Sequence, residues 1–283
     1  MKLLRYGIVG EEKPGLLDSD GKIRDLSSQI DDINGDALRP DCLARLTTLD
    51  INALPLVSGN PRLGACVARP GKFVAIGLNY SDHAIETGSP VPEEPVVFYK
   101  TDTCICGPND DVIQPKGSTK LDWEIEIAIV MGSVARNISE SQAQDCIAGY
   151  CIVNDVSERA FQIDRGGSQW SKGKGCDTFG PMGPWMVTAD EVGDVQNLDM
   201  WLEVNGQRMQ TGNTRTMIFS CSYLISYLSD FMTLMPGDII TTGTPPGVGM
   251  GMRPQTWLQP GDVMHLGIEG LGEQQQTVVA FSG

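Results

Sequence analysis

The sequence predicts an α+β fold that is mostly β, built around a rolled sheet. Three observations carry that expectation. Short apolar runs outnumber helical patterns, turn residues are plentiful (33 Gly and 17 Pro in 283 residues), and faces alternate through Asp122-Trp123-Glu124-Ile125-Glu126-Ile127-Ala128-Ile129-Val130. Side chains alternate along a strand, so Glu124 and Glu126 point one way and Trp123, Ile125, Ile127 and Ile129 the other. Adjacent carboxylates on an apolar strand repel each other and resist burial. Either that face is solvated, as charged residues usually are, or a cation sits between the two.

The first seventy residues read as a small, separate unit and 71–283 as the larger one. Strand-like pieces at 3–8, 15–17 and 23–26 are broken by the turn Asp18-Ser19-Asp20-Gly21. That turn lacks the later ligands and closing glutamate of a calcium loop. A polar, weakly patterned stretch follows over 31–54, and Pro55, Pro61 and Pro70 mark a linker. Beyond it, 73–76 reads as a buried strand, 81–87 as a short helix and 123–131 as the glutamate strand. Ser139 or Ser141 caps a helix running to about Ala148, which feeds a strand through 150–153. Residues 201–204 and 208–209 flank Asn205-Gly206, a strong hairpin signal. A helix over 220–232 and a strand over 238–241 complete the reading.

Composition narrows the function. A formal charge of −15 excludes the basic surface that nucleic acid or an anionic membrane requires, but leaves room for a local positive pocket and an acidic small molecule. The N-terminus lacks the apolar core of a signal peptide, and no apolar run is long enough to span a bilayer, so a cytoplasmic address is expected. The eight cysteines are scattered without a CxxC, and only His83 and His265 offer imidazole. Reduced thiols are therefore expected, with no zinc site and no role for Cys176.

Four groups suggest chemistry. They are Glu124 with Glu126; Asp155 at the end of an apolar strand, followed by Arg159 and Gln162; Lys174 in Lys172-Gly173-Lys174-Gly175; and the turn Thr241-Thr242-Gly243-Thr244-Pro245-Pro246-Gly247. Alone, each has an ordinary explanation as a cap, a solvated lysine or a structural turn. Together, three carboxylates make a hard oxygen site suited to Mg²⁺, with Mn²⁺ or Ca²⁺ also acceptable. Lys174 and Arg159 add positive charge for an anionic substrate. His83 and Glu86 share a helix face three residues apart, either as a surface pair or as a carboxylate orienting a general base.

The chain resembles the fumarylacetoacetate hydrolase family from Phe73 to the C-terminus. The likeness rests on Gly77-Leu78-Asn79-Tyr80-Ser81-Asp82-His83, Glu124-Ile125-Glu126, Asn154-Asp155 with Arg159 and Gln162, and Lys174 with Asp177-Thr178-Phe179. Asn205-Gly206, Met217-Ile218-Phe219, and Gly237-Asp238-Ile239-Ile240 leading to Thr244-Pro245 extend it. The resemblance implies a mixed β-sandwich roll, usually a homodimer. It implies Glu124, Glu126 and Asp155 as metal ligands, and Arg159, Gln162, Lys174 and Thr244 as substrate-binding positions. It also implies His83 with Glu86 as the water-activating dyad on a lid segment.

Within the family the chain is most similar to hydrolases of 2,4-diketo-3-deoxy-rhamnonate or -fuconate. That likeness lies in Ser157-Glu158-Arg159-Ala160-Phe161-Gln162, Arg165-Gly166-Gly167, Trp170 before Lys172-Gly173-Lys174-Gly175, and the N-terminal Met1-Lys2-Leu3-Leu4-Arg5-Tyr6-Gly7. Such sequences are also called ureidoglycolate lyases, an activity no residue here specifically implies. Ser168-Gln169 lengthens the loop before Trp170 by about one residue relative to that pattern. The expected reaction is metal-dependent C–C hydrolysis of a 2,4-diketo acid to pyruvate and a second acid. An oxaloacetate-type decarboxylase and a silent metal-binding homologue are the alternatives.

Overall fold

The computed structural model describes residues 1–88 and 90–282. Among them, an eleven-stranded mixed sheet runs in the order 23–25, 13–17, 2–6, 180–188, 147–154, 125–131, 239–241, 73–77, 96–99, with two short strands attached at its side. A five-stranded sheet of 207–213, 199–204, 263–268, 272–280 and 112–114 packs against it. One hydrophobic core joins both sheets and the N-terminal segment, since Leu3 and Leu16 belong to the same buried cluster as Ile127 and Leu266. Strand Lys2–Tyr6 pairs with Gly180–Thr188, Leu3 opposite Met186, so the N-terminal strands extend the large sheet. The fold is thus α+β and mostly β, a mixed sandwich roll.

Strand Ile125–Met131 is central, between Ile147–Asn154 and Ile239–Thr241, and all seven of its residues are buried. Both faces are therefore covered, so the solvated-face reading of the glutamates does not hold. Helix Ser81–Thr87 follows strand Phe73–Gly77 as expected. Helix Cys221–Phe231 starts at Ser220, whose hydroxyl accepts the Tyr223 N–H, and turns Leu224, Ile225 and Leu228 into the core. The Asn205-Gly206 hairpin joins Asp199–Val204 to Gln207–Asn213, both turn residues having positive φ.

Two local expectations change. The stretch 31–54 contains helix Pro40–Thr47, started by a proline in its first turn and anchored by buried Leu46 with half-buried Cys42 and Leu43. The helix capped by Ser139 is shorter than expected. It ends at Cys146 through a 3₁₀ turn, and Ala148 already lies in the strand beginning at Ile147. The Lys172 segment forms helix Ser171–Lys174, so Lys172 and Lys174 point in different directions. Among the described residues no helix is long and apolar enough to cross a membrane.

A buried amide chain clamps the two sheets where the glutamate strand begins. Asn154 Oδ1 accepts the Glu124 N–H, and its Nδ2 donates to Gln276 Oε1 at 3.0 Å. Gln276 donates to Gln274, which donates to the carbonyls of Ile152 and Gly183. Replacing Asn154 by Leu strands a buried acceptor and a buried N–H, with an expected loss of about 2–4 kcal/mol. Urea unfolding measures it; a loss below about 0.5 kcal/mol would show that water or relaxation satisfies both groups.

Candidate active site

The site forms where two neighbouring strands end. Asp155 directly follows strand Ile147–Asn154, and its N–H donates to the Glu124 carbonyl at 2.8 Å, which sets Asp155 beside the start of the glutamate strand. Glu126 sits one pleat further along, opposite Val153. Glu124, Glu126 and Asp155 each bring one carboxylate oxygen to within 4.8 Å of the others, and all three are buried. The expected triad is therefore brought together.

Three cations interleave with these acids. Arg159 donates to Glu124 Oε1 at 2.6 Å and to Asp122 Oδ2 at 2.8 Å, and Gln162 Oε1 takes its third contact at 3.0 Å. Lys174 Nζ lies 2.6 Å from Glu124 Oε2 and 2.7 Å from Asp155 Oδ2, bridging two of the three acids. The third cation, Lys100, is fully buried after strand Val96–Tyr99. It donates to Asp155 Oδ1 and to the Lys174 carbonyl, each at 2.5 Å. Sequence reading missed Lys100, and also Asp122, which accepts the N–H groups of Gly249 and Met250 besides Arg159. The signal for Lys100 was a lone lysine closing an apolar strand, a place where a solvated residue is the ordinary reading.

The helix carrying Lys174 is wedged in place. A Cβ on Gly173 would lie 2.5 Å from the Gln162 backbone nitrogen and 2.6 Å from the Glu158 carbonyl, so only glycine lets the two segments touch. Lys172, in contrast, is exposed and donates to the Arg165 carbonyl outside the acid cluster.

Charge balance differs among the acids. Burial pushes the Glu124 carboxyl up, but Lys174 and Arg159 outweigh it and hold the group at about 2. Burial, followed by Asp155 and Glu124, drives Glu126 well above the usual carboxylate range. Its hydrogen-bond donor is the Gly243 N–H at 2.9 Å, and among the described residues no lysine or arginine lies within ion-pair distance of it. Burial alone would lower Lys100, but Asp155 beside it raises it overall. Arg159 is likewise held above its ordinary value: burial opposes this, and Glu124 and Asp122 outweigh it.

His83 lines the same cavity as Glu124 and Glu126 at 5% exposure, which removes its reading as a surface pair. Its Nδ1 lies 3.0 Å from Glu86 Oε2, and Glu86 Oε1 accepts the Gly247 N–H at 2.9 Å. The turn after Thr241 thus holds the carboxylate that orients the imidazole. Thr244 donates to the Ile125 carbonyl at 2.9 Å and accepts from Gln210 at 2.8 Å. His83, Glu124, Glu126, Arg159, Lys174 and Thr244 face one cavity of about 170 Å³, below the roughly 300–1,000 Å³ of drug-sized ligand sites and suited to a compact acid. Gln162 also lines it, whereas Asp155 lies behind, both its oxygens bonded to lysines. Trp170 lines the cavity too, so the longer Ser168-Gln169 loop still delivers the ring.

Comparison with known proteins places this geometry. The model of the fumarylacetoacetate (FAA) hydrolase C-terminal family matches residues 72–279. A Burkholderia multivorans protein, whose name goes no further than a provisional "hydrolase", is 63% identical over 277 residues, 98% of each chain. The fumarylacetoacetate hydrolase of psychrophilic Exiguobacterium antarcticum superposes with a TM-score of 0.88 at 33% identity, covering 99% of this chain and all of that one. The maleylpyruvate hydrolase of Sphingobium sp. SYK-6, solved with manganese(II) and pyruvate, gives 0.82 at 27% identity with both chains fully covered. With the matched region spanning the acid triad, the lysine helix and the His83 segment, the chain belongs to the fumarylacetoacetate hydrolase family.

Proposed function

We propose that this protein is a metal-dependent hydrolase that cleaves the C3–C4 bond of a 2,4-diketo acid, releasing pyruvate and a second acid. The carrying observation is that Glu124 and Glu126 of a buried acid triad line one small cavity together with a carboxylate-oriented histidine. In this reading residues 71–283 form the catalytic unit, and the substrate is a 2,4-diketo-3-deoxy sugar acid. The manganese(II) and pyruvate held by the Sphingobium enzyme support the choice of ion class and product.

The residues suit a divalent ion. Three oxygens converge within 4.8 Å, and Glu126 has only a neutral donor although two carboxylates press on it. Glu124, Glu126 and Asp155 would hold Mg²⁺ or Mn²⁺, with Ca²⁺ also accommodated. When bound, the ion supplies Lewis-acid charge to the carboxylate and 2-oxo end of the substrate.

The protein groups then divide the work. Arg159, Gln162 and Thr244 orient the acid end, and Lys174 stabilises the negative charge that develops on the 2-oxo oxygen. With Nδ1 turned to Glu86, His83 takes a proton from water at Nε2 while the water oxygen bonds to C4. The C3–C4 bond breaks, its electron pair goes to C3 as the pyruvate enolate, and the proton held by His83 returns to C3. The second acid leaves with the new C4–O bond. An oxaloacetate-type decarboxylase would use the same electron sink without the attacking water, so the identity of the C4 product separates the two activities.

Three outcomes test this reading. Glu126→Ala is expected to abolish turnover and to weaken Mg²⁺ binding, measured calorimetrically, by more than the ~10–100-fold typical of an outer-shell partner. An active, metal-independent Glu126→Ala protein would remove the ion from the site.

Lys174→Met is expected to lower kcat by ~10²–10³-fold, as for removal of one charge-stabilising donor, with the circular dichroism spectrum unchanged. Lys172→Met is expected to stay near wild type, because that side chain points to solvent. The reverse pattern would mean that Lys172 is the working lysine.

His83→Ala is expected to reduce kcat/KM for diketo-acid hydrolysis by at least ~10²-fold and to affect any oxaloacetate decarboxylation much less. Glu86→Gln is expected to give a milder hydrolytic loss. Equal losses in both reactions would assign His83 to binding or gating and leave water activation to another group.

A further inference from the structure

We propose that the cavity selects 2,4-diketo acids whose far end carries no charge, with Trp170 as the specificity-determining residue for that end; this rests on the C–C hydrolase reading above. The cavity is electrically one-sided. Its two lining cations, Arg159 and Lys174, are both on the acid-triad side and paired there with Asp122, Glu124 and Asp155. The substrate carboxylate belongs at that end.

The rest of the wall is mainly apolar, formed by Ile76, Leu78, Phe98, Ile163, Trp170 and Met250. Its neutral polar members, Gln162 and Thr244, are bonded to Arg159 and to Ile125 and Gln210. Among the described residues no further lysine or arginine lines it. The other titratable liners are Glu124 and Glu126 of the acid triad and His83, whose ring is held by Glu86. The cations in the flanking segments face elsewhere. Arg165 stacks over Phe161 at 4.8 Å, and Arg253 donates to the carbonyls of Met250, Gly251 and Met252. A second carboxylate at the tail would therefore be desolvated against hydrocarbon with no cationic partner, an arrangement proteins avoid.

The position of Trp170 is built in. Its ring lies against Phe98, with centroids 5.4 Å apart and planes at 56°. A Cβ on Gly77 would lie 2.2 Å from Trp170 Cζ3, so the strand end has no side chain where the indole rests. The aromatic face thus forms the surface against which a compact neutral tail, a methyl group or the C–H face of a hydroxylated carbon, would pack.

Two acids that share one reactive end test this. One is 2,4-dioxoheptanedioate; the other is 7-methyl-2,4-dioxooctanoate, in which an isopropyl group replaces the second carboxylate. With Mg²⁺ and the wild-type enzyme, kcat/KM is expected to favour the neutral-tailed acid by at least ~30-fold, the scale of an unpaired polar group in an apolar pocket. Trp170→Ala is expected to raise KM for that acid ~10-fold with little change in kcat, and Trp170→Phe to restore most of it, as for loss and recovery of aromatic contact. Ile163→Arg, a substitution at a residue 55% exposed, is expected to raise kcat/KM for the dioate by ~10-fold by giving the tail a partner. Equal or better use of the dioate by wild type overturns the proposal, as does a Trp170→Ala enzyme with unchanged KM. If neither acid is cleaved, the hydrolase reading fails, and calorimetric binding to the Mg²⁺-loaded protein decides the tail. Tighter binding of the neutral-tailed acid supports the proposal, and equal or weaker binding overturns it.

Discussion

Four buried carboxylates, Asp122, Glu124, Glu126 and Asp155, are interleaved with three buried cations, Lys100, Arg159 and Lys174. A single buried charge is strongly unfavourable, and a pair is tolerated only with good geometry and its remaining valences satisfied. Here every cation has at least two acceptors, and Asp122 and Glu124 are each tied to more than one chain segment. The cluster thereby fixes the relative positions of the glutamate strand, the segment after Asp155, the lysine helix and the glycine turn. Its one incompletely compensated member, Glu126, is the acid that faces the cavity without a cationic side chain.

Backbone constraints do the positioning. Asn154 accepts the Glu124 N–H, Asp155 donates to the Glu124 carbonyl, and Gly173 brings the lysine helix against the segment of Glu158 and Gln162. The Gly247 N–H fixes Glu86, which fixes His83. The candidate site residues are thus side chains held by hydrogen bonds whose other ends belong to strands or to the segments that follow them.

Much of this was legible from residue pattern. The alternation around Glu124 and Glu126, the Asn205-Gly206 turn and the Ser220 cap are local signals, and local physics decides them. Face alternation alone left two explanations for the glutamates, and burial on both sides of the strand chose between them. Lys100 and Asp122 were illegible because their roles arise from contacts with residues 55 and 37 positions away. The helix Pro40–Thr47 was missed because its apolar face is narrow and rests on a core supplied by the rest of the chain. The relative directions of Lys172 and Lys174 were illegible because an extended and a helical Lys-Gly-Lys differ only in tertiary packing, here the seat that Gly173 finds against Gln162.

The tail wall touches the charge cluster through the Met250 N–H, which donates to Asp122, and through the Phe98 ring beneath Lys174. The side chains of Ile163, Trp170 and Met250 take no part in its ion pairs, and the Trp170 ring rests on Phe98 and over Gly77. Under the proposed function, substitution at these three positions would change which acid is accepted without removing the buried charges that hold the strands together. A lineage carrying this scaffold can drift between substrates through neutral intermediates that remain folded and able to bind the ion. Divergence among its members should accordingly concentrate in the loops bearing Ile163, Trp170 and Met250.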